Sequence, residues 1–312
     1  MHPDDRFHPP TTDDPYWTET CWFTFAIPEH GLSGQFYPFF RPNQRVCAAG
    51  VFFWDAQGHL PWNVRYGKNF WHLPMPEQDL TDIRLPNGIH YRCLEPLQSY
   101  ALHYDDPDGD DIEVRLRFDA ICPPNYLMDS HLDQPGRYTG TVRLGDQVIA
   151  VDSFGMRDRS WGKRDQFGTD IHHSTAHRGG YSYATADERN GFHAITMAFA
   201  DDQCIVIHGY YLRDGEYAKL ASGLRTVLAR DPATGCPTRV RLEATDTLGR
   251  HFVAEAECLN RIGLHLNPNL FTWNCLAEWR FGDARGYGED HDNWSATAAR
   301  HFFRRHAGWP AT

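Results

Sequence analysis

Short apolar or alternating segments recur along most of the chain and predict β-strands. In the first half they are Cys21–Ile27, Gln35–Phe40, Val46–Trp54, Asn63–Phe70, Tyr91–Leu94, Tyr100–Tyr104 and Ile112–Ala120. Breaks rich in Gly, Pro and Asp separate them. The second half shows the same pattern of apolar segments and turn residues from Tyr181 to Cys258, with an Asn-Gly hairpin signal at 190–191. Many short strands between turn signals are typical of antiparallel sandwiches and barrels, so the fold class is predicted to be all-β.

Helical periodicity is confined to two places. Near the end of the chain, Trp294, Ala298 and Phe302 recur at i, i+4 and i+8, and Asp292 or Asn293 would cap the helix. A weaker helix is predicted within Glu77–Ile83. The prediction is therefore two lipocalin-like antiparallel β domains with a C-terminal helix.

Length and charge limit the architecture and the partners. A chain of 312 residues suits two domains of about 150 residues each, predicted here as residues 1–150 and 151–312. The net charge of −11 argues against binding to nucleic acid or to anionic membranes. No run of 18 apolar residues occurs, so no membrane span is expected.

The first residues and the cysteines bear on location. The chain opens with a polar, Pro-rich arm that lacks the charged and apolar regions of a secretory signal, and we expect the arm to wrap the surface. The eight cysteines form no Cys-x-x-Cys pair. We therefore expect reduced thiols, a cytoplasmic location and no metal site.

The mid-chain segment Gly155–Arg164 is the strongest candidate for chemistry. It holds Asp158 between Arg157 and Arg159, with Trp161 three residues beyond the carboxylate. Asp158 could act as a base or stabilise a cation, with Trp161 offering a π-face. The alternative is an ion-pair cluster with a structural role. Alternation along a strand could also place both arginines on the face opposite Asp158.

Three further segments contain candidate residues. In Ser130–Tyr138, His131 could transfer protons while Gln134 and Arg137 bind a substrate oxygen, or the segment could be a solvated loop. His173 and His177 are four residues apart but lack the Glu of a zinc motif, so the segment is expected to be a solvated loop or to place His173 alone in a pocket. In Gly286–Trp294, Glu289 could be a second titratable group beside Tyr287, or the acids could cap the helix.

Several familiar site motifs do not occur. The chain has no Gly-x-Gly-x-x-Gly, no phosphate-binding loop and no Gly-x-Ser-x-Gly. These absences argue against a nucleotide cofactor and against serine hydrolysis. The aromatic residues of the N-terminal third could line an apolar ligand cavity or could simply form a core.

Three motifs together resemble a known group of proteins. Arg157–Gly162 is similar to the Asp-His-x-Trp-Gly signature of the lipocalin-like carotenoid 1,2-hydratases, or hydroxyneurosporene synthases. Their relatives include kievitone-hydratase-like proteins and fungal lipocalin-like Diels–Alderases. Gln134–Arg137 and Gly286–Glu289 match an uncharacterised bacterial branch. The resemblance implies two lipocalin-like β domains, an apolar pocket near their junction, and cofactor-free acid–base chemistry.

One departure from that signature matters for the chemistry. The signature's His corresponds to Arg159, whose guanidinium stays protonated and so cannot replace a His that transfers protons. His131, His173 or Glu289 would then have to do so. The leading hypothesis is a cofactor-independent hydro-lyase, hydratase or isomerase acting on a hydrophobic terpenoid-, steroid- or polyketide-like substrate. The alternative is a non-catalytic lipocalin-like binding protein, and the oligomeric state stays open, with a homodimer as one option.

Overall fold

The computed structural model describes residues 1–109, 112–164, 178–198, 204–267 and 269–306. These residues form β-strands and a single α-helix, which confirms the predicted all-β fold class. They fall into two compact units: unit 1 is Met1–Phe53 with Arg65–Arg164, and unit 2 is Trp54–Val64 with Asp165–Thr312. The predicted boundary between residues 150 and 151 falls within one unbroken strand, Gln147–Lys163.

Unit 1 is one open antiparallel sheet of eleven strands that forms a half-barrel. Its strands are β1 (Trp17–Ile27), β2 (Leu32–Arg41), β3 (Val46–Trp54), β4 (Tyr66–Pro74), β5 (Asp82–Arg84), β6 (Ile89–Glu95), β7 (Ser99–Asp105), β8 (Ile112–Ala120), β9 (Asn125–Leu127), β10 (His131–Leu144) and β11 (Gln147–Lys163). They are ordered β4-β3-β2-β1-β11-β10-β8-β7-β6-β5, and β9 pairs with β10. β11 therefore lies between β1 and β10.

Alternating side chains build the core of unit 1. Along β8, Ile112, Val114, Leu116 and Phe118 are buried, and the charged residues between them are not. β11 begins in the same way, with Ile149 buried beside an exposed Val148. Successive side chains of a strand point to opposite faces of the sheet, so this pattern gives one apolar face and one polar face.

Unit 2 is a closed antiparallel barrel of eight strands with a ninth strand attached. Its strands are β12 (Arg178–Asp187), β13 (Asn190–Ala198), β14 (Cys204–Arg213), β15 (Glu216–Arg230), β16 (Pro237–Asp246), β17 (His251–Cys258), β18 (Ile262–Asn267), β19 (Leu270–Phe281) and β20 (Ala284–Ser295). Pairing of β17 with β19 closes the ring, and β18 adds to β19. Closure leaves no unpaired edge among the eight barrel strands.

Helix α1 (Ala296–His306) confirms the predicted C-terminal helix but begins later than expected. Ser295 caps it, because its Oγ accepts a hydrogen bond from the Ala298 amide at 3.2 Å. Asp292 and Asn293 lie within strand β20, and so does Glu289, so the capping roles considered for them were wrong.

The weaker helix predicted within Glu77–Ile83 was also wrong. The segment is irregular and leads into the short strand β5, where Ile83 is buried in the core of unit 1. Among the described residues, no helix is long and apolar enough to cross a membrane.

Candidate active site

Strand β11 presents Asp158 and its two neighbouring arginines on opposite faces of the unit 1 sheet. Arg157 and Arg159 lie on the same face as Ile149 and are fully buried. The Asp158 side chain points the other way and is 14% exposed. The three charges therefore do not form one cluster, as strand alternation allows.

Arg157 is held by polar groups within unit 1. Its guanidinium donates to Asp5 Oδ1 at 2.9 Å and to Gln134 Oε1 at 3.2 Å, and it lies 4.2 Å from the Tyr100 ring centroid. The Gln134 amide nitrogen in turn donates to the backbone carbonyl of Leu97 at 2.7 Å. Arg157 and Gln134 thus bind each other and the protein interior, and their substrate-binding role stays a prediction.

The N-terminal arm supplies partners to both arginines. Arg159 donates to Glu19 at 2.9 Å and to the Arg6 carbonyl at 3.0 Å. Asp5, which pairs with Arg157, is fully buried. The arm lies mostly at the surface, as expected, but it also buries one acid, Asp5, against Arg157.

Trp161 belongs to the arginine face of β11. Its ring stacks on His8 of the arm with centroids 4.0 Å apart and planes 9° apart, and the Arg159 guanidinium lies 5.8 Å from it. Trp161 thus points away from the face that carries Asp158. Its predicted substrate-binding role stays a prediction.

On the opposite face, His131 lies among three polar side chains. Its Nε2 is 2.9 Å from Asp133 Oδ2, its Nδ1 is 2.7 Å from Ser160 Oγ, and Nδ1 is 3.9 Å from Asp158 Oδ2. Strand register explains the arrangement, because β10 and β11 place His131 opposite Ser160 and Asp133 opposite Asp158. We call His131, Asp133, Asp158 and Ser160 the histidine cluster.

Burial and charge shift the titration of the histidine cluster. Burial raises the pKa of Asp158, and the nearby Asp133 raises it further, against the lowering effect of His131. Burial alone would lower the pKa of His131, but Asp133 and Asp158 outweigh it and raise that pKa above the usual value. Two carboxylates directly opposite on adjacent strands repel each other, so a proton on the imidazole between them stabilises the pair.

The histidine cluster has the composition of an acid–base site. An imidazole with a raised pKa holds its proton more readily and can act as a general acid. One ligand atom each from His131, Asp133 and Asp158 lies within 4.8 Å of the others, so these three residues could also hold a cation. Trp22 lies opposite Asp158 in register and adds an aromatic ring to this face.

Unit 2 holds the other predicted titratable residue. Glu289 is fully buried, and its Oε2 lies 2.7 Å from His291 Nε2. The Tyr181 ring stacks on His291 with centroids 5.6 Å apart and contacts His193 at 4.4 Å. Glu289 therefore belongs to a histidine–carboxylate pair of unit 2 that aromatic rings line.

A second buried charge network in unit 2 joins β15 to β20. Arg225 donates to both carboxylate oxygens of Asp290, at 2.9 and 2.5 Å, and to Asp292 at 3.3 Å. Ser182 donates to Asp290 at 2.7 Å, and Arg230 pairs with Asp292 at 2.6 Å. The two cations and two anions balance, which gives this network a structural character.

The remaining predicted residues lie elsewhere. Arg137 is exposed and makes a bidentate pair with Asp152 at 2.6 and 2.8 Å. Tyr287 is half-buried in unit 2, with its hydroxyl 3.4 Å from Glu278. His173 lies outside the described residues. Of the predicted catalytic residues, the structure brings His131 and Asp158 together.

Comparison with known proteins gives a family and a fold. A family model described as "Domain of unknown function (DUF7064)" matches residues 1–295. The chain belongs to this family. A sequence comparison with curated proteins finds no match.

Solved structures similar to this DUF7064 protein include CghA and kievitone hydratase from Nectria haematococca. CghA is 11% identical with a TM-score of 0.59, over 91% of this chain and 89% of that chain. A complex of CghA with Sch210972 gives 11% identity and a TM-score of 0.55, over 90% and 88% of the two chains. Kievitone hydratase is 10% identical with a TM-score of 0.56, over 90% and 89%. These likenesses show a shared lipocalin-like two-domain fold.

Not every residue of these sites was predicted from the sequence. Asp133 and Ser160 could have been predicted, because residues i and i±2 of a strand lie on the same face, so Asp133 accompanies His131 and Ser160 accompanies Asp158. His291 is related to Glu289 in the same way. No sequence pattern indicated the pairing of Asp5 with Arg157, since 152 residues separate the two and only folding brings them together.

Proposed function

We propose that this DUF7064 protein is a cofactor-independent hydro-lyase, hydratase or isomerase acting on a hydrophobic terpenoid-, steroid- or polyketide-like molecule. The observation that carries the proposal is a protonatable imidazole between two carboxylates on one face of the unit 1 sheet. The similar fold of kievitone hydratase supports the reaction class. The nearby Asp133 and Asp158 raise the pKa of His131 above its usual value, which favours the charged imidazolium as proton donor.

In the forward hydration, the His131 imidazolium protonates an alkene carbon. The N–H bond breaks, a C–H bond forms, and the neighbouring carbon becomes cationic. The Asp158 carboxylate stabilises that charge and takes a proton from the attacking water, after which the proton returns to His131. Dehydration runs through the same steps in reverse. In isomerisation no water adds, and Asp158 instead takes a proton from another carbon next to the cation, so that the double bond re-forms at a new position.

Trp22 takes the aromatic role in this mechanism. It lies opposite Asp158 in the β1–β11 register, and its indole nitrogen is held by Gln35 Oε1 at 3.3 Å. A fixed indole on the face of the histidine cluster can contact an apolar substrate and a developing cation. Trp161, already stacked on His8, lies on the other face.

The test is proton chemistry on a panel of unsaturated hydrophobic compounds. The full chain is incubated with terpenoid, steroid and polyketide alkenes in D₂O and in H₂¹⁸O, and products are analysed by mass spectrometry. We expect deuterium incorporation, with ¹⁸O incorporation for a hydratase. His131→Gln and Asp158→Asn should each lower the rate by about 10²-fold or more, as expected for loss of a general acid or base.

The matched control is His90→Gln. His90 also pairs with an aspartate, Asp82, at 2.8 Å, but it lies on β6, three strands away from β10 in the sheet. It should leave the rate unchanged. Bound ligand without isotope incorporation, retained equally by the wild type and both variants, would refute the enzyme and favour a lipocalin-like binding protein.

A further inference from the structure

The two ring nitrogens of His131 face chemically different partners. Nε2 lies 2.9 Å from a carboxylate oxygen of Asp133, whose side chain is fully buried. Nδ1 lies 2.7 Å from Ser160 Oγ and 3.9 Å from the partly exposed Asp158. A carboxylate only accepts hydrogen bonds, whereas a hydroxyl both donates and accepts.

This difference assigns the protons on the ring. The carboxylate of Asp133 requires a proton on Nε2 whether the imidazole is charged or neutral. Ser160 serves both states at Nδ1, because its Oγ accepts from the imidazolium and its hydroxyl donates to the neutral ring. The imidazole therefore gains and loses its second proton at Nδ1.

We propose that Asp133 is a positioning residue that keeps the Nε2 proton in place and so makes Nδ1 the proton-exchanging atom of His131. Nδ1 is the nitrogen nearer to Asp158, whose carboxylate takes part in the proposed reaction. The inference rests on the proposed function for its role in catalysis. The tautomer itself can be measured without a substrate.

The surroundings of the ring support this assignment. Asp133 and Asp158 raise the pKa of His131 and Arg164 lowers it. Ser160 is buried, and register places it directly opposite His131. Both contacts come from the central paired strands β10 and β11, so the ring is held from two sides by regular sheet structure.

The experiment is ¹⁵N NMR of the full chain labelled at histidine. Long-range ¹H–¹⁵N correlations report which ring nitrogen of each neutral histidine carries the proton, and His131→Gln identifies the signals of His131. In the wild type at a pH above its pKa, His131 should show only the Nε2–H tautomer. Asp133→Asn should mix the tautomers and lower the His131 pKa, because an amide can donate as well as accept.

Asp82→Asn is the matched control, since it makes the same change beside His90 and should leave His131 unaltered. A neutral His131 protonated on Nδ1 in the wild type would overturn the proposal, and this measurement needs no variant. Unchanged tautomer and pKa in a folded Asp133→Asn protein would also overturn it. The isotope panel fails or succeeds independently, so the two proposals are separately refutable.

Discussion

Removing the acid of the N-terminal arm is the sharpest test of how unit 1 is stabilised. Asp5 accepts hydrogen bonds from Arg157 at 2.9 Å, from the Tyr100 hydroxyl at 2.6 Å and from the Leu97 amide at 2.9 Å, and both charged side chains are fully buried. Asp5→Ala leaves the guanidinium in the protein interior without its counter-charge. Breaking one partner of a buried ion pair costs about 3–5 kcal/mol.

That cost is large beside the stability of a domain, which is roughly 5–15 kcal/mol. For a unit of about 150 residues it lowers the melting temperature by roughly 6–20 °C. Differential scanning calorimetry of the full chain measures the shift, and amide hydrogen exchange shows whether unit 1 is the part that opens. Because unit 2 does not contain this pair, its amides should keep their protection.

Two variants decide whether the ion pair is the cause. Asp152→Ala removes the acid of the exposed Arg137 pair and should leave the melting temperature unchanged within error. Adding Arg157→Met to Asp5→Ala should recover part of the loss, since an apolar side chain tolerates the site that an unpaired cation does not. If Asp5→Ala melts no earlier than Asp152→Ala, the arm does not stabilise unit 1 in this way.

Three further predictions concern single positions. Burial raises the pKa of Asp158, so above that pKa the folded state pays a free-energy penalty for the buried anion, and the penalty disappears as the pH falls. Asp158→Asn should therefore raise the melting temperature at pH 7 and raise it less in acid. A lower melting temperature at pH 7 would contradict this. A Cβ at Gly155 would lie 2.0 Å from the Thr24 carbonyl oxygen, so Gly155→Ala should cost about 1–3 kcal/mol in urea unfolding. Arg225→Met leaves Asp290 buried without its main cation and should cost about 3–5 kcal/mol in the same assay, an expectation that an unchanged midpoint would contradict.

Strand periodicity was enough to predict the all-β class, the helix near the C-terminus and most strands. It failed at Glu77–Ile83 because a few apolar residues at helical spacing also occur where the chain merely approaches a core, as Ile83 does. It placed the helix start too early because Asp292 is a good capping residue by type, yet here it binds Arg225 and Arg230 inside a strand.

The histidine cluster was predictable in part. His131 and Asp158 stood out by residue type, and only register on adjacent strands makes Asp133 and Ser160 their neighbours. The acids that pair with the two arginines could not be predicted. Asp5 is 152 residues from Arg157, and Glu19 is 140 residues from Arg159. No local pattern encodes such distant pairings.

The two faces of β11 separate the residues that stabilise the fold from the residues proposed to act in catalysis. On its buried face Arg157 pairs with Asp5 and Arg159 pairs with Glu19, so removing one of these partners should lower the stability of unit 1. Its other face holds Asp133 opposite Asp158, an arrangement that costs stability even beside His131, because burial and Asp133 still raise the pKa of Asp158 on balance. A proton on the imidazole between the two acids relieves part of their repulsion, and in the proposed reaction this is the transferable proton. Asp158→Asn tests this separation experimentally, because it should make the protein more stable and less active at the same time.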